Sequence, residues 1–172
     1  MKKLLMALAM FCATFALQAE VDGYAMLSVF SPGQLPVPVT SIYGVRFNLI
    51  YGECQNLNGL DLGIVGRVRE HANGLQICGG NVIGTDVSGA QLGLVNLVES
   101  DFAGFQLALW NDVGGHASGF QCGLWNEIGA HGAGFQLGLV NRAKSLSGLQ
   151  IGLLNFIDDQ RFYLLPLINV GW

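Results

Sequence analysis

From Gly44 onward the chain alternates apolar residues with small or polar ones, and the alternation recurs as a unit of fifteen residues. Glycine stands at 44, 59, 74, 89, 104, 119 and 134, then at 148 after a unit one residue shorter. With that glycine as position one, positions two, four and six are mostly Leu, Ile or Phe, as in Phe105, Leu107, Leu109 and Phe135, Leu137, Leu139. Positions one, three and five are mostly Gly, Gln and Gly. A period of two sends alternate side chains to opposite faces, so each unit predicts a β-strand with one apolar face. The apolar parity returns at position ten (Val68, Ile83, Val98, Val113, Ile128, Ala143, Ile157) and often at fourteen (Val87, Phe102, Ala117, Leu146). Positions eleven to thirteen hold Gly, Ser and charged residues and predict a turn. The single deletion, before Leu146, falls there, where a missing residue costs least.

Residues 44–157 therefore read as eight tandem units with the motif G-x-Q-x-G-x-x-N. Position three reads Arg46, Asp61, then Gln76, Gln91, Gln106, Gln121, Gln136 and Gln150. Position eight reads Tyr51, Gly66, then Asn81, Asn96, Asn111, Asn126, Asn141 and Asn155. The expected fold is an all-β solenoid of eight 15-residue coils, stacked in parallel about 4.8 Å apart and so roughly 38 Å long. Stacking places like on like, giving a Gln ladder, an Asn ladder and stacked rings at Phe105, Phe120 and Phe135.

The alternative is a small antiparallel outer-membrane β-barrel of about 8–10 strands. The ending Tyr163 to Trp172 resembles the terminal strand of such barrels, and the repeat strands plus 24–30 and 162–172 make an even number. Against it, successive barrel strands run in opposite directions and have no need of the same residue at the same position. Asn at position eight shares parity with the apolar face and would point at lipid, where an unpaired amide is costly. Inside a bend of a coil each Asn can bond its neighbour's amide and local backbone. Pro166 also removes a ladder hydrogen bond from the last strand.

Composition widens the context. The chain is 51% hydrophobic and 12% charged, so it must bury much of itself or face lipid. Residues 1–19 have the charged, apolar, small-residue layout of a secretory signal peptide: Met1-Lys2-Lys3, the run Leu4 to Leu17, then Gln18-Ala19. The chain is thus expected to be exported, to the cell surface or outer membrane, with the periplasm as a further destination. Without Lys2 and Lys3, six Lys and Arg stand against 12 Asp and Glu, a net charge of −6 that excludes a nucleic-acid partner. Cys54, Cys78 and Cys122 remain, an odd number without a CxxC, and are read as small buried residues. Residues 20–43 and 158–172 fall outside the repeat and are expected to be end caps or terminal strands, as open coils need covering.

The repeat units, the lead-in Tyr43 to Gly52 and the ending Leu165 to Asn169 together resemble a family of bacterial surface-repeat proteins, over about residues 24–172. The resemblance implies a secreted or surface-exposed, non-enzymatic protein and supplies no catalytic residue. Units one and two depart from the motif at Arg46, Asp61, Tyr51 and Gly66 and are expected to form a cap.

Candidate chemistry is sparse. No nucleophile elbow, P-loop or HExxH occurs, so no enzyme and no cofactor is expected. Position thirteen reads Asn56, His71, Asp86, Asp101, His116 and His131, a polar line along the turn edge. Asp101, His116 and His131 on adjacent coils are candidate metal ligands, although a straight row closes poorly into a tetrahedron. Trp110 and Trp125, at position seven of consecutive units, form a candidate contact strip for a partner or glycan on the face opposite the Leu stripe. Arg46 and Asp61 are expected to pair across coils, weakly if exposed. The reading is a structural, adhesive or interaction protein at the cell envelope, its partner an unidentified envelope or host component. The alternatives are a membrane-associated barrel and a metal- or glycan-binding repeat module.

Overall fold

A computed structural model describes residues 22–30, 33–35 and 41–172; the expected leader over residues 1–19 lies outside the described residues. Each repeat is one coil of a β-solenoid with two straight sides. In the unit of Gly104, Phe102–Leu107 form the first side, Ala108 and Leu109 a bend, Trp110–Val113 the second side, and residues 114–116 the turn to the next coil. Successive coils pair in parallel and in identical register, apart from shifts in the first coil and at the shortened turn before Ser145. Gly104 lies opposite Gly119, Phe105 opposite Phe120 and Gln106 opposite Gln121, and on the second side Asn111 lies opposite Asn126. Antiparallel pairing, which a barrel requires, does not occur between repeats, so the barrel alternative is set aside.

The structure corrects which face is inside. Gln106 and Asn111 are fully buried, whereas Leu107 is 43% and Leu109 54% exposed. The apolar stripe at positions two, four and six points outward, and Gln rather than Leu faces the interior. The reason is the bend, where two successive residues, six and seven, both point out. Parity switches there, so positions eight and ten share the interior with position three, not with four and six. Trp110 and Trp125 consequently flank the Leu column around the bend instead of lying on an opposite face.

The apolar core occupies one end of the coil cross-section. Positions ten and fourteen, with Val68, Ile83, Val87, Val98, Phe102 and Val113 among them, form a buried cluster beside the polar turn. The other end, beneath the bend, is filled by amides. Strand Gly23–Phe30 lies parallel on the first coil, with Met26 opposite Arg46, and Leu164–Gly171 closes the last coil antiparallel, with Asn169 opposite Gln150. Pro166 sits in this edge strand where the register shifts between Gly152 and Asn155, so its missing N–H breaks no regular ladder. In the first coil a register shift between Asn48 and Tyr51 places Gly52, not Tyr51, opposite Gly66.

Candidate functional site

The four fixed residues of the motif are explained by contacts within the coil stack. At position one the backbone is extended with positive φ, 139° at Gly104, and a Cβ there would lie 1.9 Å from the carbonyl oxygen of Gly89 in the preceding coil. At position five, beneath the bend, a Cβ on Gly123 would lie 2.4 Å from the Ala108 oxygen and 2.9 Å from Asn111 Nδ2. Glycine at five thus makes room for the asparagine at eight in four of the eight coils, while Cys78 and Ala108 are accommodated there in two others.

That asparagine column forms a continuous ladder. Nδ2 of Asn81, Asn96, Asn111, Asn126 and Asn141 each donates to Oδ1 of the Asn in the following coil at 2.8 Å. Nδ2 also reaches the position-four carbonyl of that coil, at 2.9 Å from Asn111 to Cys122 and 3.0 Å from Asn126 to Leu137. The glutamine column runs the other way. Nε2 of Gln91, Gln106, Gln121 and Gln136 donates to Oε1 of the preceding Gln at 2.8 Å, and Gln150 does so at 2.7 Å. Two amide ladders of opposed direction line one interior, so their dipoles cancel along the axis. Within the ladders each amide is satisfied by its neighbours, and the unpaired buried atoms fall toward the ends, on Asn48 Oδ1, Asn81 Oδ1, Gln150 Oε1 and both amide atoms of Asn169.

The glutamine ladder starts from a buried ion pair. Gln76 Nε2 lies 3.4 Å from Asp61 Oδ2, so the donor end of the ladder meets a carboxylate. Asp61 is held by Arg46 at 2.9 and 2.5 Å and by Asn48 Nδ2 at 2.7 Å. Arg46 also donates to the Arg67 carbonyl and to Cys54 Sγ. Both charged side chains are fully buried, so the pair is not the weak surface contact that exposure would have made it. Burial works against the Arg46 charge, but the hydrogen bond and charge of Asp61 outweigh it and raise its pKa. Burial pushes the thiol of Cys54 up to about 11 and that of Cys78 up to about 12, so neither is a reactive thiolate near neutral pH. The three described cysteines are free, with Cys122 only half-buried because it sits in the outward column four.

Above the amides lies an apolar edge. Over eight coils, positions two, four, six and seven carry no charged residue, amide or hydroxyl; the smallest occupants are Ala90, Gly79, Gly80 and Cys122. Phe105 stacks on Phe120 at 5.5 Å and Trp110 on Trp125 at 5.2 Å. The terminal strands prolong the edge, Leu27 lying beside Phe47 and Ile168 beside Ile151, all four exposed. Beside Gly63 and Gly79 lies an open groove of about 400 Å³ lined by Ile77, Leu92, Leu94 and Leu107. The doublets Leu94-Val95, Leu109-Trp110, Leu124-Trp125 and Leu139-Val140 are the sequence signal of this edge, since two adjacent apolar residues break the alternation where the coil bends.

The position-thirteen line is a hydrogen-bonded edge. Asn56, Asp86 and Asp101 each accept from the backbone N–H of position thirteen in the next coil, at 2.7 Å from His116 to Asp101. His131 Nδ1 meets Ser145 Oγ at 2.9 Å, and His71 meets Asp86 at 3.4 Å. Asp101, His116 and His131 lie in a row, and no group of three or more His, Cys, Asp or Glu among the described residues converges as a metal site. Compared with known proteins, the chain matches no family model, no curated protein and no solved structure.

Proposed function

We propose that the chain is an exported, non-enzymatic interaction protein of the bacterial cell envelope, with the apolar edge as its contact surface. The observation that carries this reading is the edge itself. A monomer ordinarily exposes no apolar patch larger than ~300–600 Å², and such a surface marks a place where something binds. Four outward columns over eight coils offer on the order of 1,000 Å². Export is supported by the signal-peptide layout of residues 1–19 and by the resemblance of the repeats to bacterial surface-repeat proteins. The lack of enzymatic chemistry is supported by the interior, where the buried polar groups hold one another. The position-thirteen residues are likewise engaged with backbone and neighbours, which favours a structural role over a metal or glycan site.

The test is fractionation of producing cells with mass analysis of the recovered chain. Recovery in the envelope, shortened by the leader, is expected. A full-length chain in the cytosol would refute the reading.

A further inference from the structure

We infer that the occupant of the apolar edge is the acyl region of a lipid surface, into which the solenoid dips one long edge while lying parallel to the membrane plane. This rests on the edge being the contact surface and names what it contacts.

Three features select lipid over protein. The first is shape. Positions two and four face out from the first side of each coil, position six projects at the bend, and position seven faces out from the second side. The apolar surface therefore wraps a convex ridge. A second copy stacked sheet to sheet would cover one side and leave the ridge and the other side in water, whereas fluid acyl chains conform to all three.

The second feature is chemistry. A protein interface carries about one direct hydrogen bond per 100–200 Å². The four columns contain no charged, amide or hydroxyl side chain. Of the two indole N–H groups in column seven, that of Trp125 is turned to Glu127 Oε2 at 3.1 Å, toward position nine. An aromatic ring with its polar atom directed off the apolar surface suits the boundary between acyl chains and headgroups.

The third is backbone satisfaction, without which no segment enters hydrocarbon. Along the ridge the bend amides are bonded to neighbouring coils: Leu109 N–H and Trp110 N–H both donate to the Leu94 carbonyl, and Leu124 N–H and Trp125 N–H to that of Leu109. Stacking thus pairs the bend N–H groups along the ridge, and the amide ladders beneath it bond from coil to coil.

Polar columns bound the immersed zone. Position fifteen holds Asn58, Asn73, Ser88, Ser118 and Ser147, with Ala103 and Ala133 between them, on one side; position nine holds Arg67, Asp112, Glu127 and Arg142 on the other, interrupted by Val82 and Leu97. Dipping the ridge as far as those columns matches the ~5–10 Å burial of interfacial elements. Because charges of both signs flank the ridge and the repeat domain is acidic, neutral phosphatidylcholine should suffice.

The experiment is flotation of the leader-free chain, residues 20–172, with phosphatidylcholine vesicles, beside Leu94→Glu, Leu109→Glu, Leu124→Glu and, as a control on the polar border, Ser88→Asp, Ser118→Asp. Wild type and control should float. The triple leucine variant should lose at least tenfold in bound fraction while keeping the wild-type far-UV circular dichroism; its floating as well as wild type would overturn the inference. Should that variant not fold, a Trp172→Phe chain bound to vesicles with brominated acyl chains gives an independent reading. Quenching of Trp110 and Trp125 is expected, and unquenched emission would overturn the inference. Wild type that stays at the bottom of the gradient also overturns it. If that protein is a dimer split by the leucine variant, the ridge remains a contact surface and only lipid is refuted. If it is a monomer, and the variant stays in the envelope fraction as wild type does, the proposed function falls as well.

Discussion

Beneath the bend the solenoid is packed with amides, and over the bend it is covered with Leu, Phe and Trp. Gln106 and Leu107 are adjacent in sequence, yet the amide is fully buried and the leucine 43% exposed. The difference teaches that in a stacked repeat hydropathy does not by itself choose the inside. A lone buried amide leaves unmet hydrogen bonds, costing about 1–3 kcal/mol. In a column of identical amides, each one meets the donor and acceptor of its neighbours at 2.8 Å, and the cost shrinks to the two ends. The interior can then be polar, and the apolar residues are released to the surface for another purpose.

Substitutions that break the interior should be costly, and those on the edge nearly free in water. The largest loss is expected for Asp61→Ala, which strands the fully buried Arg46; removing one member of such a pair costs about 3–5 kcal/mol. Urea unfolding should show it as a large drop in midpoint. Gln106→Leu is next. It leaves Gln121 Nε2 without its acceptor and Gln91 Oε1 without its donor, for a loss of about 2–4 kcal/mol by the same measurement, although the substitution raises hydrophobicity in a protein interior.

The matching exchange one residue along, Leu107→Gln, should change stability by no more than about 0.5 kcal/mol. Equal losses for the Gln106 and Leu107 variants would erase the contrast between the two walls. Smallest of all is Asp112→Asn, on the outer wall at position nine. Burial, and then the charge of Glu127, raises the Asp112 pKa. A carboxyl raised in the folded state loses stability as pH climbs from its unfolded value, about 3.9, through its folded one. The amide variant should therefore be more stable than wild type at pH 7, by a few tenths of a kcal/mol given the exposure of the site, and should lose that advantage below pH 4.

Much of this was legible in the residues. The fifteen-residue spacing from Gly44 to Gly134, the Gln and Asn columns of units three to eight and the deletion in the turn define parallel coils with amide ladders. The placement of Asn inside a bend follows from its need for two partners. The facing of the Leu columns was not legible from alternation, because a strict period of two carried past the bend assigns positions six and eight to one face. The doublet at six and seven, Leu109-Trp110 for example, marks where that rule stops. The register shift in the first coil was hidden as well: Asn48 fills the space that Gly52 leaves open, Asp61 and Arg46 fill that at Gly66, and Gly52 rather than Tyr51 is the partner of Gly66. The burial of Arg46 and Asp61 depends on the flanking strand, where Met26 covers Arg46, and the repeat motif alone does not reveal it.

The most direct test of the inverted arrangement is hydrogen exchange of the side-chain amides, followed by nuclear magnetic resonance on uniformly labelled native protein. The Nε2 protons of Gln91, Gln106, Gln121 and Gln136 and the Nδ2 protons of Asn96, Asn111, Asn126 and Asn141 should persist long after those of Gln55 and Gln160, which lie outside the ladders, have exchanged. Exchange of the repeat amides as fast as Gln160 would mean that they face water, and that the Leu columns, not the amides, fill the coil.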